Sequence, residues 1–152
     1  MNQNDIKSLE QRYGLKLPDE YVTLVLDPKN QQKYENRESL ISIGLLFDRK
    51  KLEKENDLCR NTPVFCDFWN PKWFAIHADG MGNVYFITTD PYDGKVYDYE
   101  HEQTLPGYNP AERAMFESLE SFLLYLDQTS ESGNRRNSSL LKRFKRWIFG
   151  VF

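Results

Sequence analysis

Apolar residues recur along this chain with two periods, a helical one near the ends and an alternating one in the middle. Ile6, Leu9 and Tyr13 fall at three- and four-residue spacing, which predicts an opening helix. Asn4 or Asp5 is placed to cap it, and Gly14 to end it in a left-handed conformation. Leu17-Pro18-Asp19-Glu20-Tyr21 reads as a second helix start, because proline fits the first turn and two acids complement the helix dipole there. Tyr21, Val22, Leu24, Val25 and Leu26 fill a short, mostly buried helix that Asp27-Pro28 stops. The polar stretch 28–39 predicts a loop. Leu40, Ile41, Ile43, Leu45, Leu46 and Phe47 form an apolar run of strand character. Residues 48–57 (DRKKLEKEND) lack β-branched side chains and suit a short exposed helix or an extended loop.

The middle third predicts short strands. Val64-Phe65-Cys66 is one, Trp73-Phe74-Ala75-Ile76-His77 the next. Asp79-Gly80-Met81-Gly82-Asn83 is a turn that leads into Val84-Tyr85-Phe86-Ile87. Asp90-Pro91-Tyr92-Asp93-Gly94 turns again into Lys95-Val96-Tyr97-Asp98-Tyr99. Strands spaced by glycine turns predict an antiparallel meander. After a loop at 106–110, residues 112–128 carry Met115, Phe116, Leu119, Phe122, Leu123 and Leu126 at helical spacing. The expected fold is α+β, a mostly antiparallel sheet with flanking helices. The expected organisation is a domain over 1–128, a linker over 129–139 and a tail over 140–152.

Composition narrows the class. A chain of 152 residues suits one domain. With 39% hydrophobic, 28% charged and 14% aromatic residues it belongs with soluble globular proteins, not disordered ones. Its apolar runs are too short to span a bilayer, and its polar N-terminus lacks the apolar core of an export signal. Cys59 and Cys66 are too few for a disulfide scaffold, so reduced thiols and a cytoplasmic location are expected.

Charge divides the chain. Residues 1–128 hold 14 Lys and Arg against 22 Asp and Glu, a net of −8. Residues 129–152 hold 6 against Glu131 alone, a net of +5. An acidic body is a poor direct binder of nucleic acid and a good one for a basic protein.

Resemblance enters through several short stretches in order. Leu17-Pro18-Asp19-Glu20-Tyr21 follows an opening helix. Ala78-Asp79-Gly80-Met81-Gly82-Asn83 leads into Val84-Tyr85-Phe86-Ile87, Gly94-Lys95-Val96-Tyr97 precedes Glu100-His101-Glu102, and a Phe- and Leu-rich helix closes the set. Together, over about residues 5–127, they resemble the SUKH superfamily, the bacterial immunity proteins related to the fungal Smi/Knr cell-wall-synthesis regulators. The resemblance implies helices packed on one mostly antiparallel sheet and a non-enzymatic role with no catalytic residues or cofactor. It implies tight binding of a polymorphic toxin, often a nuclease. Some members of the wider superfamily act instead as intracellular scaffolds or regulators, the alternative for this chain. The tail is not explained by the family.

The stretch 67–102 is where a basic partner is expected to bind. It carries Asp67, Asp79, Asp90, Asp93, Asp98, Glu100 and Glu102 against Lys72 and Lys95, interleaved with Trp69, Trp73 and other aromatics. Carboxylates steer and pair while indoles supply contact area. The competing reading is a solvated sheet face with its aromatics in the core. Metal binding is not expected: Asp79, Asn83, Asp90 and Asp93 do not have calcium-loop spacing, His77 and His101 lack a helical zinc pattern, and Cys59 and Cys66 are not a C-x-x-C pair.

Residues 140–152 (LLKRFKRWIFGVF) form a basic amphipathic pattern. At about 100° per residue, Leu140, Leu141, Phe144, Trp147, Ile148, Val151 and Phe152 share an arc of roughly 140°. Lys142, Arg143 and Arg146 lie opposite it, Lys145 sits at the border and Phe149 breaks the pattern. Three readings stand: a helix lying on the inner face of the membrane, a helix docked on the acidic body, or a tail ordered only by a partner.

Overall fold

The computed structural model describes residues 1–35, 47–62, 68–79, 82–99 and 109–132. Helix α1 spans Gln3–Tyr13 and begins earlier than the sequence suggests, because Asn2 caps it. The Asn2 Oδ1 accepts from the N–H groups of Asn4 at 2.9 Å and Asp5 at 3.1 Å, and the Asp5 carboxylate accepts from the Asn2 N–H at 2.9 Å. Three backbone donors are thus satisfied, those of Asn2 and Asp5 reciprocally. Gly14 ends α1 at φ +64° as expected. Pro18 then stands at the N-cap of α2, Asp19–Leu26.

The expected loop after Pro28 is a helix, α3, Pro28–Glu35. Pro28 suits its first position, and Asp27 Oδ1 accepts from the Lys29 N–H at 2.8 Å. Polar side chains then tie α3 back to α2: Asn30 donates to the Leu24 carbonyl at 3.1 Å and Gln31 to the Val25 carbonyl at 2.8 Å. Phe47 is buried but lies outside any strand, stacked on Tyr34 at 5.6 Å. The remainder of the expected strand at 40–46 lies outside the described residues, as does that at 64–66.

Helix α4, Arg49–Asn61, takes the helical option at 48–57 and extends it. Asp48 caps it through a 3.0 Å bond from the Lys51 N–H. Its inward face is Leu52, Asn56 and Cys59, all fully buried.

The sheet has the order β1-β2-β3, with β1 at Trp73–Ala78, β2 at Val84–Thr88 and β3 at Tyr97–Tyr99, antiparallel throughout. The β1–β2 register slips between Ala75 and His77, a bulge that leaves Ile76 extra. Phe74, Ile76, Tyr85 and Ile87 pack with Ile6, Leu9, Tyr21, Val25, Phe122 and Leu126 from the helices. Trp73, Ala75, Phe86, Tyr97 and Tyr99 pack with Cys59 and Trp69 in a second cluster. Leu52 belongs to the first cluster and Cys59 to the second, so α4 straddles the β1 edge. There the Asn56 amide mimics a strand: it donates to the Ala75 carbonyl at 3.0 Å and accepts from the Ala75 N–H at 2.9 Å. Arg60 donates to the carbonyls of Trp73 at 2.8 Å and Pro71 at 3.1 Å along the same edge.

The closing helix starts later than its apolar spacing predicts. Pro110–Glu112 is a short 3₁₀ turn, and Phe116 lies in extended backbone bridged to Val96. The Val96 N–H donates to the Phe116 carbonyl at 2.9 Å, and the Phe116 N–H returns to Val96 at 3.0 Å. Ser118 then caps α5, Leu119–Ser132, its hydroxyl accepting from the Ser121 N–H at 3.1 Å. Residues 129–132, expected in the linker, are helical. The rest of the linker and the tail at 140–152 lie outside the described residues.

Candidate partner-binding face

Two hairpin turns put the acids of the middle third at opposite ends of β2. Asp79 precedes the strand and Asp90 and Asp93 follow it. Asp79 is engaged in its turn, accepting from the Asn83 N–H at 3.1 Å and from Asn83 Nδ2 at 2.7 Å. Near it lies Asp98 on β3, opposite Tyr85. The Tyr85 and Tyr125 phenols interact electrostatically with one another and with Asp79, and Tyr85 also with Asp98. Burial, reinforced by the charges of Tyr125, Asp98 and Asp79, pushes the Tyr85 phenol well up.

The other end is more open. Asp90 is 79% exposed and pairs only with Lys72 Nζ at 3.0 Å among the described ion pairs. Asp93 holds the turn, accepting from Thr88 Oγ1 at 3.3 Å, from the Lys95 N–H at 3.1 Å and from the Tyr97 hydroxyl. Partial burial raises the Asp93 carboxyl, but these three donors outweigh it and the net shift is downward. Burial and the bond to Asp93 carry the Tyr97 phenol up to about 12. The N-terminus of α2 meets this turn, with the Tyr92 hydroxyl donating to Glu20 Oε2 at 2.7 Å. Glu117, 79% exposed and 3.1 Å from Lys95, stands at the start of α5. Glu20 and Glu117 were not among the expected site residues. Both are far from the turn in sequence, so only the fold brings them there.

The indoles behave differently from the carboxylates. Trp69 and Trp73 are each 7% exposed, edge to face with one another at 5.7 Å and packed on Phe86. They are core residues of the second cluster and are not available as contact area for a partner. Asp67, Glu100 and Glu102 lie outside the described residues, and so do Lys142, Arg143, Phe144, Arg146 and Trp147 of the tail.

A shallow groove of about 680 Å³ adjoins the open end, lined by Glu10, Leu15, Lys16, Lys72, Thr89 and Asp90 among others. It has no convergent catalytic groups. His77 is 2% exposed and packed between Tyr85 and Phe122. Burial pushes the Cys59 thiol far up, which disfavours the reactive thiolate. Among the described residues, no cluster of three His, Cys, Asp or Glu side chains is arranged to hold a metal ion.

Comparison with known proteins places this architecture. No curated protein and no solved structure matches the chain. The family model described as SMI1 / KNR4 family (SUKH-1) matches residues 1–128, which takes in the whole sheet, α1 to α4 and most of α5. The resemblance carried by the Leu17–Tyr21 helix start and the glycine turns is therefore a family relationship. The chain belongs to the SMI1 / KNR4 family (SUKH-1).

Proposed function

We propose that the domain is an immunity protein that binds a basic toxin, most simply a nuclease, and blocks its active-site cleft by stoichiometric occlusion. The observation that carries this reading is the open end of the hairpin. Asp90, Asp93, Glu20 and Glu117 gather there on a body whose net charge over 1–128 is −8. Such a surface steers a cationic cleft into register and competes with the phosphates it would otherwise hold. A well-packed two-cluster core beneath the turn keeps the carboxylates preorganised, which lowers the cost of association. Family membership is compatible with this role. The reading asks for no chemical step by this chain.

The test is co-expression with any toxin-like protein encoded beside this chain's own gene, followed by isolation of the pair. Expected are rescued growth and a one-to-one complex. Asp90→Lys, at an exposed position with one ion pair, is expected to slow association about tenfold at low salt, as rim charges govern encounter. Toxicity undiminished by the wild-type protein would sink the immunity reading, and recovery of a host protein as the stable partner would favour the scaffold role.

A further inference from the structure

We propose that the groove beside the Asp90 turn receives an extended segment of the partner, one that presents a single cationic side chain among apolar ones. This deepens the immunity reading and rests on it for the partner's basic character. The groove measures about 680 Å³ and lies between two walls. One wall is the α1–α2 turn, with Gly14, Leu15 and Lys16. The other is Pro71-Lys72, just before β1, with Thr89-Asp90, just after β2. The volume falls within the ~300–1,000 Å³ of ligand clefts, and a shallow form suits a length of polypeptide better than an enclosed small molecule. Asp90 belongs both to this groove and to the acidic end, so the two form one continuous surface.

The walls are braced against each other. The Leu15 N–H donates to the Glu10 carbonyl at 3.2 Å, and the Lys72 carbonyl accepts from the Thr89 N–H at 2.8 Å and its hydroxyl at 2.7 Å. Arg60 donates to the Pro71 carbonyl at 3.1 Å. The same guanidinium sits 4.9 Å over the ring of Tyr13, whose hydroxyl donates to Asp57 Oδ1 at 3.0 Å. One cation therefore ties the helical wall to the strand wall, and a cleft fixed in advance costs less to fill. Its lining sets the chemistry of the occupant. Tyr13, Leu15 and Pro71 supply apolar area. Lys16 and Lys72 are each matched by an acid, Asp19 at 3.9 Å and Asp90 at 3.0 Å. Glu10 is half-buried and in no ion pair among the described residues. Its Oε1 accepts from the Leu17 N–H at 2.9 Å, which fixes the carboxylate while leaving its charge unmatched. An arginine or lysine arriving over the apolar floor meets that charge in a partly dry setting, where a pair is stronger than on open surface.

Full-length protein would be titrated with the capped pentapeptide LTRTL while its amide NMR signals are followed. The two leucines and the arginine of this probe share one face when it is extended. Expected are saturable shifts of the Gly14, Leu15 and Thr89 amides, and affinity at least about tenfold weaker when glutamate replaces the arginine of the peptide. Glu10→Gln keeps an acceptor for the Leu17 N–H and removes the charge, so it is expected to weaken the peptide about fivefold at an unchanged melting temperature. Leu15→Arg is expected to lose most of the binding. Absence of saturable binding, shifts confined to the Asp90–Gly94 turn, or equal affinity for Glu10→Gln would overturn the proposal. The immunity reading fails separately. Wild-type rescue that Leu15→Arg and Glu10→Gln leave undiminished would sink the groove alone, whereas peptide binding without rescue would support the groove and sink immunity alone.

Discussion

Asn56 is fully buried, and both ends of its amide are committed to the backbone of Ala75. Asn56→Ala leaves a buried N–H and a buried C=O unpaired, so a loss on the order of 3 kcal/mol is expected in urea unfolding at unchanged m-value. An effect below about 1 kcal/mol would mean water replaces the amide there. Cys59 is shielded in the same region. It is expected to resist iodoacetamide in the folded protein and to react once unfolded, and rapid native labelling of the Cys59 peptide would contradict its burial. Two carboxyls set an acid limit. Asp57 is raised by burial, but bonds from Arg12 and Tyr13 and the charges of Arg12 and Arg60 bring it below its ordinary value, and Asp93 is lowered by its three donors. A lowered folded pKa stabilises the fold above the unfolded value and loses that effect as pH falls through the folded one. Stability is therefore expected to drop below about pH 4, and Asp93→Asn to flatten part of that drop. Glu55 acts oppositely: burial raises it, so its ionisation opposes folding as pH rises.

Helix ends show where local rules were readable and where they were overridden. Gly14 was legible because a left-handed cap has few alternatives to glycine. Gly14→Ala, with open space around the new Cβ, is expected to cost about 1 kcal/mol from backbone strain alone, seen as a lower melting temperature. Ser118→Ala is expected to cost a similar ~1 kcal/mol by removing the α5 cap, with little change if the Ser121 hydroxyl takes over its role. The α3 helix was not legible, since its residues have almost no apolar period and it is held by Asn30 and Gln31 reaching back to α2. The start of α5 was misread for the opposite reason. Met115 and Phe116 have helical spacing to Leu119, but Phe116 reaches the core from a strand-like bridge to Val96. Spacing reports which side chains point inward and is silent on the backbone that carries them there.

For the whole molecule, the sequence foretold an acidic α+β body better than it foretold the binding face. Strands β1, β2 and β3 were readable because glycine turns punctuate an alternating pattern. The site was less so, because successive turns of a meander lie at opposite ends of its strands. Asp79 and Asp93 are near in sequence and separated by the length of β2. Both sheet faces are covered, which takes Trp69 and Trp73 inside even though a one-sided sheet would have displayed them. Glu20 and Glu117 join Asp90 only through long-range contacts of Tyr92 and Lys95. A cationic partner should accordingly protect the Asp90–Gly94 turn and the α2 start from hydrogen exchange and leave the Asp79 end unprotected. Protection confined to the Asp79 end would move the face there.

The seating of α4 against β1 has a consequence for how copies of this chain behave when crowded. An uncovered outer strand offers a row of backbone donors and acceptors on which a second molecule can add its own strand. Here one amide and one guanidinium occupy that row, at Ala75 and Trp73, so sheet growth stops at a helix. Detachment of α4 would turn β1 into a template, and the first event on heating a concentrated sample would be intermolecular β-pairing rather than simple unfolding. Asn56 thus guards solubility as well as stability, and its loss should make the melting temperature fall as protein concentration rises.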